Sequence, residues 1–223
     1  MEARYARNIP TLTPEAQAAL GKKRVLLAGC GGLGGQLLEL LLRVGVGAVT
    51  AVDPDRFEES NANRQVLCTA QTLGQPKVLA ARDRALSVRP DVGFTAVFEA
   101  ISTENAPELL RGIDLALDAL DSVKARLVLA DACAAAGIPL VHGAVAGQCA
   151  QVCTVLPGSG TLRKIYAVQA APRSASVLAP TCAACAAAQA AEAVRLLCGQ
   201  SPVLAGKLMC MDLAGMEFHT LAL

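Results

Sequence analysis

The sequence has no tryptophan, two tyrosines, four phenylalanines and two histidines in 223 residues. So few aromatic rings leave no stacking platform of the kind that single-stranded nucleic acids require. Charge of one sign is also scarce. The formal net charge is +1 and no basic run is longer than Lys22-Lys23-Arg24, so the electrostatic footprint of a nucleic-acid or anionic-membrane binder is missing. Long apolar runs are absent as well: Glu39 and Arg43 interrupt the best one, and no span approaches the ~20 residues needed to cross a bilayer. Residues Met1 to Asn8 contain no apolar stretch of the signal-peptide type. The expected partners therefore include neither nucleic acid nor membrane.

What is abundant is small and aliphatic. Hydrophobic residues make up 53% of the chain, carried by Ala, Leu and Val, a composition suited to helices packed on a parallel sheet. There are nine cysteines. The number is odd, and Cys30, Cys68, Cys133, Cys149, Cys153, Cys198 and Cys210 sit in apolar or Ala-rich surroundings, where a reduced thiol serves as a small hydrophobe. A cytoplasmic location is expected rather than a disulfide framework.

Strand and helix signals alternate along the chain. Thr13-Pro14-Glu15 combines a capping hydroxyl, a proline for the first helical position and an early acid, predicting a helix to about Leu20. Arg24 to Ala28 reads as a strand, and leucines at helical spacing follow Gly29-Cys30-Gly31-Gly32-Leu33-Gly34 as far as Gly45. Further strands are expected over 48–52, 92–98, 113–117 and 139–142, separated by helices over 76–89, 103–111 and 122–136. Beyond these come a strand at 151–156, a turn-rich polar stretch at 157–179, a helix at 180–198, and a terminal antiparallel pair at 207–211 and 217–221. The expected fold is α/β, a mostly parallel sheet flanked by helices with a C-terminal antiparallel extension.

Glycines after the first strand permit a tight bend, close approach of backbone to a phosphate or ribose, and close helix packing. Gly29, Gly31 and Gly34 are placed for this, but alone they do not separate ATP from NAD. About 20 residues on, Asp53 and Asp55 stand at the end of the second strand, where an acid binds ribose hydroxyls. Asp55 is the preferred ribose ligand because Asp53 can cap the following turn. The polar segment from Glu59 to Gln65 then falls at the carboxyl end of the sheet, where open α/β folds bind ligands. Lys77 follows Pro76 in the first turn of a helix, a position that opposes the helix dipole unless an anion lies close by. Asp121 can cap the next helix with Ser122, or hold a hydrated Mg²⁺ opposite Arg64 and Lys77.

Taken in order, Arg4-Tyr5-Ala6-Arg7, the run from Gly29 to Gly34, Gly45-Val46-Gly47, Asp53-Pro54-Asp55, Ser60-Asn61-Ala62-Asn63-Arg64-Gln65, Gly74-Gln75-Pro76-Lys77 and Asp118-Ala119-Leu120-Asp121 resemble the ThiF/MoeB/HesA adenylyltransferases, relatives of the ubiquitin-activating enzymes. The resemblance implies a single Rossmann-like adenylation domain over residues 1–223, with an N-terminal arm and helix at 1–20 and a crossover loop at 157–179. It implies ATP and Mg²⁺, with Gly29, Gly31, Gly32 and Gly34 along the nucleotide, and Asp53 and Asp55 at its ribose end. Asn61, Arg64, Gln65 and Lys77 would surround the phosphates and Asp121 would bind magnesium. Arg7 matches an arginine finger delivered from the other subunit of a homodimer. The substrate implied is the C-terminal Gly-Gly carboxylate of a ubiquitin-like sulfur carrier of thiamine or molybdopterin synthesis.

The sequence departs from that family in three places. Leu162-Arg163-Lys164-Ile165 and Phe218-His219-Thr220-Leu221 stand where zinc cysteine pairs are expected, so no zinc is expected. The stretch from Ala170 to Ser176 has no cysteine for thioester or persulfide chemistry. Cys182 and Cys185 do form a Cys-x-x-Cys, expected to pack in the core, with a helix N-terminus lowering the pKa of Cys182. His142 and His219 are given no role. Two other classes fit less of the pattern: a nicotinamide-dependent oxidoreductase leaves Arg64, Lys77 and Asp121 unexplained, and a non-catalytic nucleotide-binding subunit would not need them together.

Overall fold

A computed structural model describes residues 2–168 and 176–223. Their strands form one eight-stranded sheet: β1 (Arg24–Ala28), β2 (Ala48–Val52), β3 (Gly93–Val97), β4 (Leu115–Asp118), β5 (Leu140–Ala146), β6 (Cys149–Val155), β7 (Lys207–Asp212) and β8 (Glu217–Ala222). The order across the sheet is β3-β2-β1-β4-β5-β6-β7-β8. Pairings from β3 across to β5 are parallel, and those of β5 with β6, β6 with β7 and β7 with β8 are antiparallel. The mixed α/β fold expected from the sequence is thus present, including its antiparallel end.

The helices are α1 (Pro14–Leu20), α2 (Gly32–Val44), α3 (Lys77–Val88), α4 (Ala106–Leu109), α5 (Val123–Ala136), α6 (Thr161–Val168) and α7 (Ala179–Leu197). Alternation along the strands divides the core in two. Val25 and Leu27 of β1 join α2, α3 and α7 in one cluster, while Leu26 and Ala28 join α5 and α6 in the other. Strands so covered on both faces read as continuous apolar runs, which is why β1 and β4 were legible.

Local signals act where the residues place them. Thr13 accepts from the Ala16 amide and Ser122 from the Ala125 amide, so each caps its helix. Gly45 and Gly137, both left-handed, end α2 and α5. Three expectations need correction. The stretch 157–179 is not all turn: Gly158 and Gly160 hide α6, whose Leu162 and Ile165, one turn apart, are buried in the second cluster. The helix expected over 103–111 shrinks to α4, and the strand expected to stop at His142 continues to Ala146. Gly143 looks like a strand breaker, yet it sits inside β5 because the Gln189 side chain of α7 fills the space a Cβ would need. The cysteine-free stretch 170–176 lies, apart from Ser176, outside the described residues.

Order reverses between β1 and β4: the chain winds outward from β1 to β3 and then returns to the other side of β1. Such a switch point opens a crevice at the carboxyl ends of the two central strands. Gly29 follows β1 there with φ +94°, and a Cβ on Gly34 would lie 1.8 Å from the Gly29 carbonyl oxygen. That contact brings the start of α2 onto the turn.

Neither backbone group at this contact is the end of a flexible side chain, so a methyl group cannot be absorbed locally. Gly34→Ala is expected to cost at least about 3 kcal/mol of unfolding free energy, measured by urea denaturation. Gly137→Ala, with nothing within 4 Å of the new Cβ but φ +70°, is expected to cost only about 1 kcal/mol.

Candidate functional site

The crevice holds a cleft of about 650 Å³, within the range of pockets that take a nucleotide-sized ligand. Gly29, Gly31 and Gly32 form its floor, Asp53 and Asp55 one side, and Arg64, Gln65 and Lys77 another. Asp121 and Arg126 come from the β4–α5 segment, and Cys182 from the start of α7. The amino end of α2 points at this floor, with its first amide groups unsatisfied by the helix itself, an arrangement that favours anions.

Asp53 is 5% exposed and is used by the turn itself. Its two oxygens accept from the Cys30 amide at 2.7 Å and the Asp55 amide at 2.8 Å. Burial pushes its carboxyl pKa up, against those two hydrogen bonds and the Lys77 charge, which pull it down. Asp55 is free of that duty and exposed, with its carboxylate 2.9 Å from Lys77 Nζ. The anion that offsets the awkward position of Lys77 is thus Asp55. Lys77 itself is 6% exposed, a buried cation held at the cleft by one partly solvated carboxylate.

Arg64 Nη1 donates to the Ser60 carbonyl and to Asn63 Oδ1, 3.1 and 2.8 Å away, which turns the guanidinium toward the cleft. Gln65 is buried and its Oε1 has no hydrogen-bond partner among the described residues. A buried acceptor left unmatched beside an open cleft fits a bound donor. Gly31 lies beside the Gln65 side chain, a Cβ there falling 3.6 Å from Gln65 Nε2, an ordinary van der Waals contact. Asp121 lies at the rim and is exposed. Ser122, not Asp121, caps α5, and Asp121 makes no hydrogen bond or ion pair among the described residues.

Not every expected residue reaches the cleft. Gly34 serves helix packing, as described above, and does not line the floor. Asn61 is drawn into a local capping box, its Oδ1 accepting from the Glu58 amide at 3.1 Å. Arg7 belongs to a short 3-10 segment, Ala3–Asn8. That segment docks at the carboxyl end of α2, where Asn8 bonds to Gln17 and Gln17 to the Val44 carbonyl. The helix rise separates that end from the glycine turn by roughly 20 Å.

The cysteines also need correction. Cys182 is fully buried under Gly32, its Sγ 2.8 Å from where a Gly32 Cβ would lie. Burial raises its thiol pKa, only partly opposed by Arg64. Desolvation outweighs the helix N-terminus that was expected to lower it. Cys185 is pushed up to about 12, chiefly by burial. The stretches 162–165 and 218–221 are parts of α6 and β8.

A second polar group lies behind the cleft. His142 and Asp118 are fully buried, with His142 Nδ1 2.7 Å from Asp118 Oδ2. His142 Nε2 is 3.3 Å from the Tyr166 hydroxyl, which accepts from Arg126 Nη1 at 2.6 Å. Arg126 and Tyr166 carry no sequence signal of their own, since a lone Arg or Tyr in an amphipathic helix reads as surface. Only packing of α5 and α6 on the same sheet face brings them to His142.

These burials predict an order of thiol reactivity. In the native protein at neutral pH, iodoacetamide is expected to label exposed Cys149 first, with Cys182 and Cys185 labelled only on unfolding. Peptide mass spectrometry checks this, and prompt native labelling of Cys182 would contradict it.

Known proteins similar to this chain show its family and its fold. The sulfur carrier protein adenylyltransferase of Thermus thermophilus is 35% identical over 235 residues, covering 98% of this chain and 86% of that protein. The SAMP-activating enzyme E1 of Haloferax volcanii is 34% identical over 229 residues, covering 97% and 83%. The fold matches a crystal structure of E. coli MccB with ATP at a TM-score of 0.80 and 20% identity, over 100% of this chain and 71% of that one. The ThiF family model matches residues 5–223, and the chain belongs to the ThiF family.

Proposed function

We propose that this protein is an ATP-dependent adenylyltransferase that activates the C-terminal Gly-Gly carboxylate of a ubiquitin-like sulfur carrier, of the type serving thiamine or molybdopterin synthesis. The observation that carries this reading is the convergence of Arg64, Gln65, Lys77 and Asp121 on a cleft floored by Gly29, Gly31 and Gly32. The names of its relatives, among them the sulfur carrier protein ThiS adenylyltransferase of Bacillus subtilis, support the substrate class. Its nine cysteines are free among the described residues, which supports a cytoplasmic enzyme. No helix among the described residues is long and apolar enough to cross a membrane.

In the reaction a carboxylate oxygen attacks the α-phosphorus of ATP, and the bond from that phosphorus to the bridging oxygen of pyrophosphate breaks. The nucleophile is already ionised at neutral pH, so positioning and electrostatics do the catalysis rather than a general base. Lys77 and Arg64 balance charge on the phosphate oxygens, and the amides at the start of α2 add the helix dipole. Gln65 Oε1 accepts from the ligand. Asp55 holds Lys77 when no phosphate is present and, with its remaining oxygen, accepts from the ribose. Asp53 acts on the turn, not on the nucleotide directly. The donor set suits a divalent cation too: Asp121, with its unpartnered carboxylate, would hold magnesium, which would neutralise charge on the departing pyrophosphate.

Arg7 fits this chemistry only from a second copy. Its arm docks at the far end of α2 from its own glycine turn, so in a homodimer it completes the partner's cleft.

ATP–pyrophosphate exchange with purified candidate carriers tests the reaction, and tight ATP binding without exchange for any carrier would contradict it. Lys77→Ala is expected to lower exchange by about 10²–10³-fold, the scale for one preorganised donor. Mixed dimers of Arg7→Ala with Lys77→Ala subunits are expected to regain exchange that neither variant has alone. No recovery would place Arg7 outside the partner's site.

A further inference from the structure

Behind the Asp121 segment the buried polar side chains close into a ring. The Leu120 amide donates to Asp118 Oδ1 at 3.0 Å. The Leu120 carbonyl accepts from Arg126 Nε and Nη2, at 3.1 and 2.6 Å. From Arg126 the path runs through Tyr166 and His142 to Asp118 Oδ2, over 2.6, 3.3 and 2.7 Å. It therefore starts and ends on the two polar edges of Leu120, the residue before Asp121. Gln151 flanks the ring, its Nε2 3.4 Å from His142 Nε2.

A guanidinium only donates, so the Tyr166 oxygen accepts from Arg126. His142 bridges the Tyr166 hydroxyl and Asp118 Oδ2, and the other Asp118 oxygen receives the Leu120 amide. Arg126 and Asp118 are 8% and 0% exposed and are connected through Tyr166 and His142, in surroundings where such chains polarise one another. Removing a link leaves a buried group without its partner, which costs more than the bond itself contributes.

We infer that Arg126, Tyr166, His142 and Asp118 are positioning residues that aim the Asp121 carboxylate at a nucleotide-borne divalent cation. Asp121 has no side-chain partner of its own among the described residues, so its direction is set by the backbone that precedes it: the ring holds the Ala119–Leu120 peptide by its amide and the Leu120–Asp121 peptide by its carbonyl. Tyr166 comes from α6, so the placement of that helix is read out at the cation site. The inference rests on the adenylyltransferase reading and adds to it the residues that orient its acid.

The test uses the full chain, with ATP affinity measured by calorimetry in magnesium and again in chelator. Tyr166→Phe keeps the ring and removes only the hydroxyl link. It is expected to weaken magnesium-ATP binding about tenfold, the low end for loss of an outer-shell partner, while metal-free ATP binding stays within about twofold of the unaltered chain. His142→Asn, whose shorter amide can face Asp118 but does not reach Tyr166, is expected to do the same and serves if Tyr166→Phe does not fold. Equal losses with and without magnesium, or no loss in either, overturn the inference while leaving the adenylyltransferase reading in place. An unaltered chain that binds no ATP overturns both.

Discussion

The close contact of Gly34 with the Gly29 carbonyl governs the rest of the site. No side chain fits between them, so the first turn of α2 lies directly on the end of β1. That fixes where its amides point. Gly31 and Gly32 lie as bare backbone under the cleft, and Cys182 of α7, which also lines it, sits against Gly32. A floor made this way offers preorganised donors that need no reorganisation when a phosphate arrives.

Around that floor the charges are distributed unevenly. Asp53 is spent on holding the turn, by way of the Cys30 and Asp55 amides. Lys77 is almost buried, and its ion pair among the described residues is with the exposed carboxylate of Asp55. Arg126 and Asp118, in contrast, are buried charges satisfied through Tyr166 and His142 without meeting each other. One set is open to exchange with a ligand. In the other, of the four side chains Arg126 alone lines the cleft and the rest bond to one another, which suits a support.

Much of this was legible because parallel strands buried on both faces are apolar throughout, and because caps and glycines act locally. β1, β2, the Thr13 and Ser122 caps and the Gly45 and Gly137 helix ends depend on residues within a few positions of one another. The helix α6 was hidden by the glycines before it, and its buried Leu162 and Ile165 acquire meaning only against α5. Asn61 and Gly34 were assigned to the nucleotide by motif membership. Local capping and helix packing claimed them instead, since a motif conveys which residues occur together and not which way each side chain turns.

From sequence alone came the sheet-and-helix order, the glycine turn, and the set of Arg64, Gln65, Lys77 and Asp121, because periodicity and motif spacing are written along the chain. Tertiary structure decided which acid serves the turn and which meets Lys77, and where Arg7 stands relative to its own cleft. It also decided that Cys182 is a desolvated thiol, and that Arg126, Tyr166, His142 and Asp118 form one ring. These depend on distances between residues as far as 150 positions apart, from Gly32 to Cys182. Burial and hydrogen-bond partners at such separations exist only once both faces of the sheet are covered.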